Sequence, residues 1–207
     1  MRKLIVQTFL TLDGVMQAPG GPGEDDDGDF PHGGWSVNYW DASMGERMGG
    51  AMSTPFAMLL GRKTYEIFAA HWPNASEEDG AGPLNGATKY VASRTLDRVE
   101  WENSELLKGD VAEQVARLKS EDGPEIQVHG SGNLIQTLLA NGLVDEFRLW
   151  VFPVLLGSGK RLFEDATLPS NLKLVDSATS LTGVFMATYE TAGDIEYGSF
   201  ELSADER

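Results

Sequence analysis

The side chains best suited to chemistry in this chain are glycines, hydroxyls and a few cations set just after apolar runs. Leu59-Leu60-Gly61-Arg62-Lys63-Thr64-Tyr65-Glu66 and Val128-His129-Gly130-Ser131-Gly132-Asn133-Leu134-Ile135 each follow such a run and open a helical pattern. A glycine at a strand end lets backbone N–H groups approach an anion, and the helix that follows presents unpaired N–H groups and a positive dipole end to the same spot. Two such turns in one chain point to the phosphates of a nucleotide cofactor. The first adds Arg62, Lys63 and the Thr64 hydroxyl; the second relies on Gly130, Ser131 and Gly132 without a neighbouring cation.

Acidic side chains outnumber basic ones, 32 to 16, for a net charge of −16 over 207 residues. Such a surface argues against nucleic acid or an anionic membrane as partner. It also makes the few cations informative, and Arg62, Lys63 and Arg94 all stand after strand-like runs. Cysteine is absent, which removes disulfides, thiolate nucleophiles and Cys-ligated zinc, including the zinc nucleobase deaminases. His32, His71 and His129 share no ligand spacing, so no metal is expected. The length suits one domain, 1–207, with one buried core. Residues 1–10 run straight into a strand with no cleavage region, from which a cytoplasmic location is expected.

The elements that must carry these residues alternate. Residues 3–11 read as a strand, followed by the turn Leu12-Asp13-Gly14 and a Gly- and Pro-rich loop to about Trp35 that holds the acidic run 24–29. Residues 15–34 look too poor in apolar side chains to pack and are expected to form a mobile lid, its acidic run solvated and flexible. A weak helix follows over 40–52, with Met44, Met48 and Met52 at helical spacing. Then come a buried strand at 56–60, a helix at 63–71, a strand at 89–93 and one more near 98–102. Asp110 three residues before Glu113 caps a helix whose face is Val111, Val115 and Leu118. A strand at 125–129, a helix at 133–140, a strand at 146–153 and a hairpin of 172–179 with 184–191 complete the pattern. The implied sheet is mostly parallel with an antiparallel C-terminal edge.

The order Leu12-Asp13-Gly14, Leu60-Gly61-Arg62-Lys63-Thr64-Tyr65-Glu66, Ser93-Arg94, Gly130-Ser131-Gly132-Asn133-Leu134, Val144-Asp145-Glu146 and Pro153-Val154-Leu155-Leu156-Gly157-Ser158-Gly159 resembles the dihydrofolate reductase-like superfamily, in particular the C-terminal reductase domain of riboflavin biosynthesis. The resemblance runs in order to Thr191. It implies an α/β three-layer sandwich around a sheet of about eight strands, with NADPH across the carboxyl edge. It further implies a reductase acting on a small pteridine-like, pyrimidine-like or carbonyl molecule, 5-amino-6-(5-phosphoribosylamino)uracil reductase activity being the family's type. Dihydrofolate reduction proper and a sensor that binds NADPH without turnover are the other readings. By the same resemblance Gly61, Arg62, Lys63 and Thr64 hold the pyrophosphate and 2′-phosphate side, Ser93 and Arg94 the adenosine 2′-phosphate, and Gly130, Ser131, Gly132, Asn133 and Leu134 the pyrophosphate from the opposite side. Asp13 and Gly14 begin the loop over the nicotinamide, and a homodimer is expected by analogy.

Each assignment has a structural competitor. Arg62 can pair with a surface carboxylate, the glycines of the second turn can serve tight packing, and Asp13 can bond backbone N–H groups beside Gly14. Gly157-Ser158-Gly159-Lys160 lacks the rest of a P-loop and reads as a turn. The resemblance to dihydrofolate reductases implies an acidic proton donor on the first helix, where this chain offers Asp41, which shares a face with Met44 and Met48, and Glu46, which lies off that face toward solvent. The alternative role of Asp41 is that of an N-cap.

Overall fold

In the computed structural model, which describes residues 1–77, 80–164 and 167–200, the centre is one eight-stranded sheet in the order β4-β3-β2-β5-β1-β6-β8-β7. The strands are β1 (Leu4–Thr11), β2 (Phe56–Gly61), β3 (Thr88–Ala92), β4 (Ser104–Leu107), β5 (Glu125–Val128), β6 (Glu146–Phe152), β7 (Leu172–Thr179) and β8 (Phe185–Thr191). The first six are parallel, β8 is antiparallel to β6, and the edge strand β7 is antiparallel to β8. This is the expected architecture. Central β2, Phe-Ala-Met-Leu-Leu-Gly, is buried at every position because helices cover both faces.

Two helical layers close the sandwich. On one face α4 (Val111–Ser120) and α5 (Gly132–Ala140) pack Val115, Leu118, Ile135 and Leu138 onto Leu4, Val6, Ile126 and Val128. On the other, α2 (Arg62–His71) and α3 (Ala81–Gly86) cover Phe56, Met58, Leu60 and Val91, and α1 (Ala42–Met52) covers Trp150, Phe152 and Met186. Asp110 caps α4 as its spacing indicates, its side chain accepting from Glu113 N at 3.0 Å.

Three expectations change. The short helix α3 escapes notice because its sequence, Ala-Gly-Pro-Leu-Asn-Gly, is poor in helix formers and is fixed by burial of Ala81 and Leu84. The fourth strand lies at 104–107 rather than 98–102, because Trp101 is drawn into the core over the buried Lys89 side chain. The segment 15–34 is not a loose lid. Val15, Ala18 and Phe30 form their own buried cluster against Trp35 and Leu156, and Gln17 Nε2 donates to the carbonyls of Asp25 and Asp27. Nor is its acidic run merely solvated, since Asp25 and Asp27 pair with Lys63 and Lys160.

Candidate active site

The strand order reverses beside β5. From β2 the chain moves outward through β3 and β4, then returns to insert β5 between β2 and β1. The carboxyl ends of β2, β5 and β1 therefore adjoin, and in open α/β sheets this is where ligands bind. Gly61 ends β2 and is the N-cap of α2; Ser131, three residues after the last residue of β5, is the N-cap of α5. Two helix N-termini thus open side by side.

They are locked to each other. Neither N-cap bonds its own helix through a side chain. Instead the Ser131 hydroxyl accepts from Thr64 N at 3.3 Å and shares a hydrogen bond with Thr64 Oγ1 at 2.9 Å, so the second turn caps the first helix. This contact explains two glycines. A Cβ at Gly61 would stand 2.5 Å from Ser131 Oγ, and one at Gly130, where φ is +142°, would stand 2.8 Å from Thr64 Oγ1. The glycines serve first the close approach of the two turns, the structural role weighed in the sequence. The Gly130–Ser131 peptide bond is cis.

The remaining predicted cofactor residues divide. Ser93 and Arg94 follow β3, next to β2; Ser93 Oγ accepts from Thr95 N and Leu96 N, while Arg94 is exposed and has no partner among the described residues. Arg62 is paired along its helix with Glu66 at 3.0 Å. Lys63 is held by Asp27 at 3.1 Å, which raises its pKa. Asn133 is exposed on the first turn of α5. Leu134 corrects the expectation: its side chain is 8% exposed and belongs to the core, leaving only its N–H for a ligand.

Asp13 and Gly14 anchor the loop after β1. Asp13 takes the Thr11 hydroxyl at 2.5 Å, then Gly157 N at 2.7 Å and Leu156 N at 3.3 Å, and these bonds hold its carboxyl below the usual range. Gly14 turns at φ +83°, after which Val15 bridges Arg161. The Gly157-Ser158-Gly159 segment is thus fastened to the end of β1.

Asp41 is placed otherwise than catalysis requires. It is the N-cap of α1, its Oδ1 accepting from the Ser43 hydroxyl at 2.7 Å and Met44 N at 3.0 Å, while Oδ2 accepts from Leu181 N at 2.9 Å in the β7–β8 turn. The Ser43 hydroxyl, foremost, and these N–H groups lower its pKa. A carboxylate so engaged is a poor proton donor at neutral pH, and the cap is the role this geometry supports.

Sequence reading missed a polar ladder on the sheet face under α1. Gln127 on β5, and His129 just past its end, lie on the face that carries Gln7 on β1 and Arg148 on β6. His129 Nε2 meets Gln127 Oε1 at 3.1 Å, Gln127 Nε2 donates to Glu125, and the Arg148 fork grips Glu125 at 2.8 and 3.1 Å while its Nε donates to Glu146 at 2.7 Å. Because the Gln127 amide gives its N–H to Glu125, its carbonyl must accept from His129, which fixes the imidazole proton on Nε2. Burial, then the charge of Arg148, brings the His129 pKa down to about 4. Burial pushes Glu125 up, but the Arg148 and Gln127 hydrogen bonds bring it below its ordinary value. The signal was there in Glu125-Ile126-Gln127-Val128-His129, where polar residues alternate with buried apolar ones inside a central strand.

A mostly parallel eight-stranded sheet with two joined helix N-termini at its switch point defines an α/β protein of dihydrofolate reductase-like fold. The chain belongs to the RibD C-terminal domain family, whose model matches residues 2–186. It is 32% identical over 196 residues to the uncharacterized protein YyaP of Bacillus subtilis, covering 93% of this chain and 96% of that one. Among solved structures, a candidate riboflavin biosynthesis protein of Shewanella sp. PV-4 superposes with a TM-score of 0.66 at 23% identity, over 92% of this chain and 99% of that one. The dihydrofolate reductase of Enterococcus faecalis, complexed with NADP(H), shares the fold with a TM-score of 0.57 at 16% identity, over 91% and 96%. Membership supports a reductase-type function. Among the described residues no helix is long and apolar enough to cross a membrane.

Proposed function

We propose that this protein is an NADPH-dependent reductase that delivers a hydride to a small heterocyclic or carbonyl molecule, a pteridine-like or pyrimidine-like ring foremost. The observation that carries the reading is the pair of strand-to-helix turns, Gly61–Thr64 and Gly130–Asn133, joined through Ser131 and Thr64 at the carboxyl edge. Their donor set fits a dinucleotide: first-turn N–H groups of α2 and α5, hydroxyls, and the cations Arg62, Lys63 and Arg94 around them. When bound, the nicotinamide would supply the hydride.

The chain's own residues bind and position. Arg94, exposed and without a partner among the described residues, is the cation best available to a 2′-phosphate, with Ser93 shaping its turn. Lys63 would exchange Asp25 and Asp27 for phosphate, so the acidic loop and the cofactor compete for one ammonium group. Since Asp41 is committed as a cap, the proton comes from solvent, which favours the riboflavin-reductase branch over the folate one. A homodimer accompanies this reading, and sedimentation should return twice the 22.5 kDa chain mass.

Calorimetric titration of NADPH and NADH tests the assignment. The 2′-phosphate should add about tenfold or more in affinity, and Arg94→Ala should weaken NADPH while sparing NADH. Equal affinities would remove the assignment. Substrate-dependent NADPH oxidation across pteridines, pyrimidines and carbonyls then separates an enzyme from a binding module.

A further inference from the structure

The segment 93–103 joins two parallel neighbours, β3 and β4, and carries Ser93 and Arg94 at its start. A parallel crossover usually runs through a helix, which satisfies its own backbone, but this one is irregular chain. Its order must come from elsewhere. Within the segment Ser93 Oγ closes the turn by accepting from Thr95 N and Leu96 N, at 3.1 and 3.0 Å. Among the described residues, the backbone of 93–101 is hydrogen-bonded to another element at one atom, the Tyr65 hydroxyl oxygen. It accepts from Glu100 N at 2.8 Å and from Trp101 N at 3.0 Å.

Tyr65 is buried on the first turn of α2, directly after Thr64, the residue bonded to Ser131 of the second glycine turn. Adjacent residues of one helical turn therefore hold both the α5 turn and the segment that carries Arg94. Gly61 pairs with Ala92 across β2 and β3, so Ser93 and Arg94 leave the sheet level with the start of α2. Leu96 and Val99 pack on the same apolar cluster as the Tyr65 ring, but apolar contact is non-directional and leaves the path of the chain to its hydrogen bonds. The far end is fastened separately. Trp101 Nε1 donates to Asn85 Oδ1 at 2.9 Å, and the buried Lys89 ammonium, against the Trp101 ring, donates to Glu102 O at 3.0 Å.

We propose that the Tyr65 hydroxyl is a positioning group for cofactor selection: by fixing the path of 93–101 it sets Arg94 where a 2′-phosphate at the α2 turn can meet it. The proposal rests on the reading of Arg94 as the 2′-phosphate cation. Tyr65 acts through Arg94, so NADH, which lacks that phosphate, is indifferent to it.

The test is Tyr65→Phe, which keeps the ring in the core and removes the acceptor, read by calorimetric titration of NADPH and NADH and by residue-resolved amide exchange. NADPH should bind about tenfold more weakly and NADH as before. Exchange should quicken at Thr95 and Leu96 as well as at Glu100 and Trp101. Equal weakening of the two cofactors overturns the proposal, as does faster exchange confined to Glu100 and Trp101 with NADPH affinity kept. A measurement on the unsubstituted protein covers a variant that does not fold. Adenosine 2′,5′-bisphosphate should slow exchange at Glu100 and Trp101 while 5′-AMP leaves those amides unchanged, because coupling between the phosphate site and its anchor is reciprocal. The same response to both nucleotides overturns the proposal. If the unsubstituted protein binds NADPH and NADH alike, the reading of Arg94 falls and this proposal with it; if it discriminates and Tyr65→Phe discriminates equally, only the positioning role falls.

Discussion

His129 shows how a single side chain is set by what surrounds it. Packed near Phe68, hydrogen-bonded to Gln127 and facing the charge of Arg148, it stays neutral, with its pKa near 4 instead of 6.5. The unfolded chain therefore takes up this proton before the folded one, and stability falls as pH drops from about 6.5 toward 4. Melting temperatures across that window should fall less steeply in His129→Gln, which keeps a donor for Gln127. Parallel curves would show that the imidazole contributes nothing. Asp41 allows a second prediction. Asn at this position retains an oxygen for Met44 N but turns an amide toward Leu181 N, whereas Ala loses both contacts. Melting temperature should thus fall in the order wild type, Asp41→Asn, Asp41→Ala, with NADPH affinity unmoved. A collapse of turnover in Asp41→Asn at unchanged stability would restore it as the donor.

At the scale of elements, the joined turns make the site a coupled unit. Gly61→Ala places a methyl 2.5 Å from Ser131 Oγ and 2.9 Å from its Cβ, so the turns must part. Overpacking of this kind costs about 1–3 kcal/mol, and NADPH affinity should fall along with melting temperature. Ser131→Gly removes the obstructing atoms along with the cap on Thr64 N. In combination with Gly61→Ala it should therefore cost less than the sum of the two single changes. Strict additivity of the melting data would mean the turns do not communicate. The same scale explains the loop 15–34. Its glycines and prolines hide a small core, and its acids find two lysines that lie far off in the chain.

Across the whole molecule a net charge of −16 sets a background of self-repulsion against which every local ion pair works. Salt screens long-range repulsion between exposed charges more than it weakens the close, half-buried Arg148–Glu125–Glu146 contacts. Melting temperature should accordingly rise as sodium chloride is added from low ionic strength. A fall would show that the surface ion pairs, among them Lys63–Asp27 and Lys160–Asp27, outweigh the global field.

The sequence by itself determined the elements whose signals are local. Strand β2 reads from an unbroken apolar run, α4 from its Asp110 cap and apolar face, and the two glycine turns from their place between strand and helix. Helix α3 and the position of β4 were not legible, because burial of Leu84 and Trp101 overrides weak propensity. Nor could the chain order show that Gly61 and Gly130 are needed by each other's neighbours, or that Gln7, Gln127, His129 and Arg148 share one face. Those facts depend on β5 entering between β2 and β1. Periodicity reports which way a side chain faces within its own strand, but only the pairing of strands distant in sequence decides what it meets there.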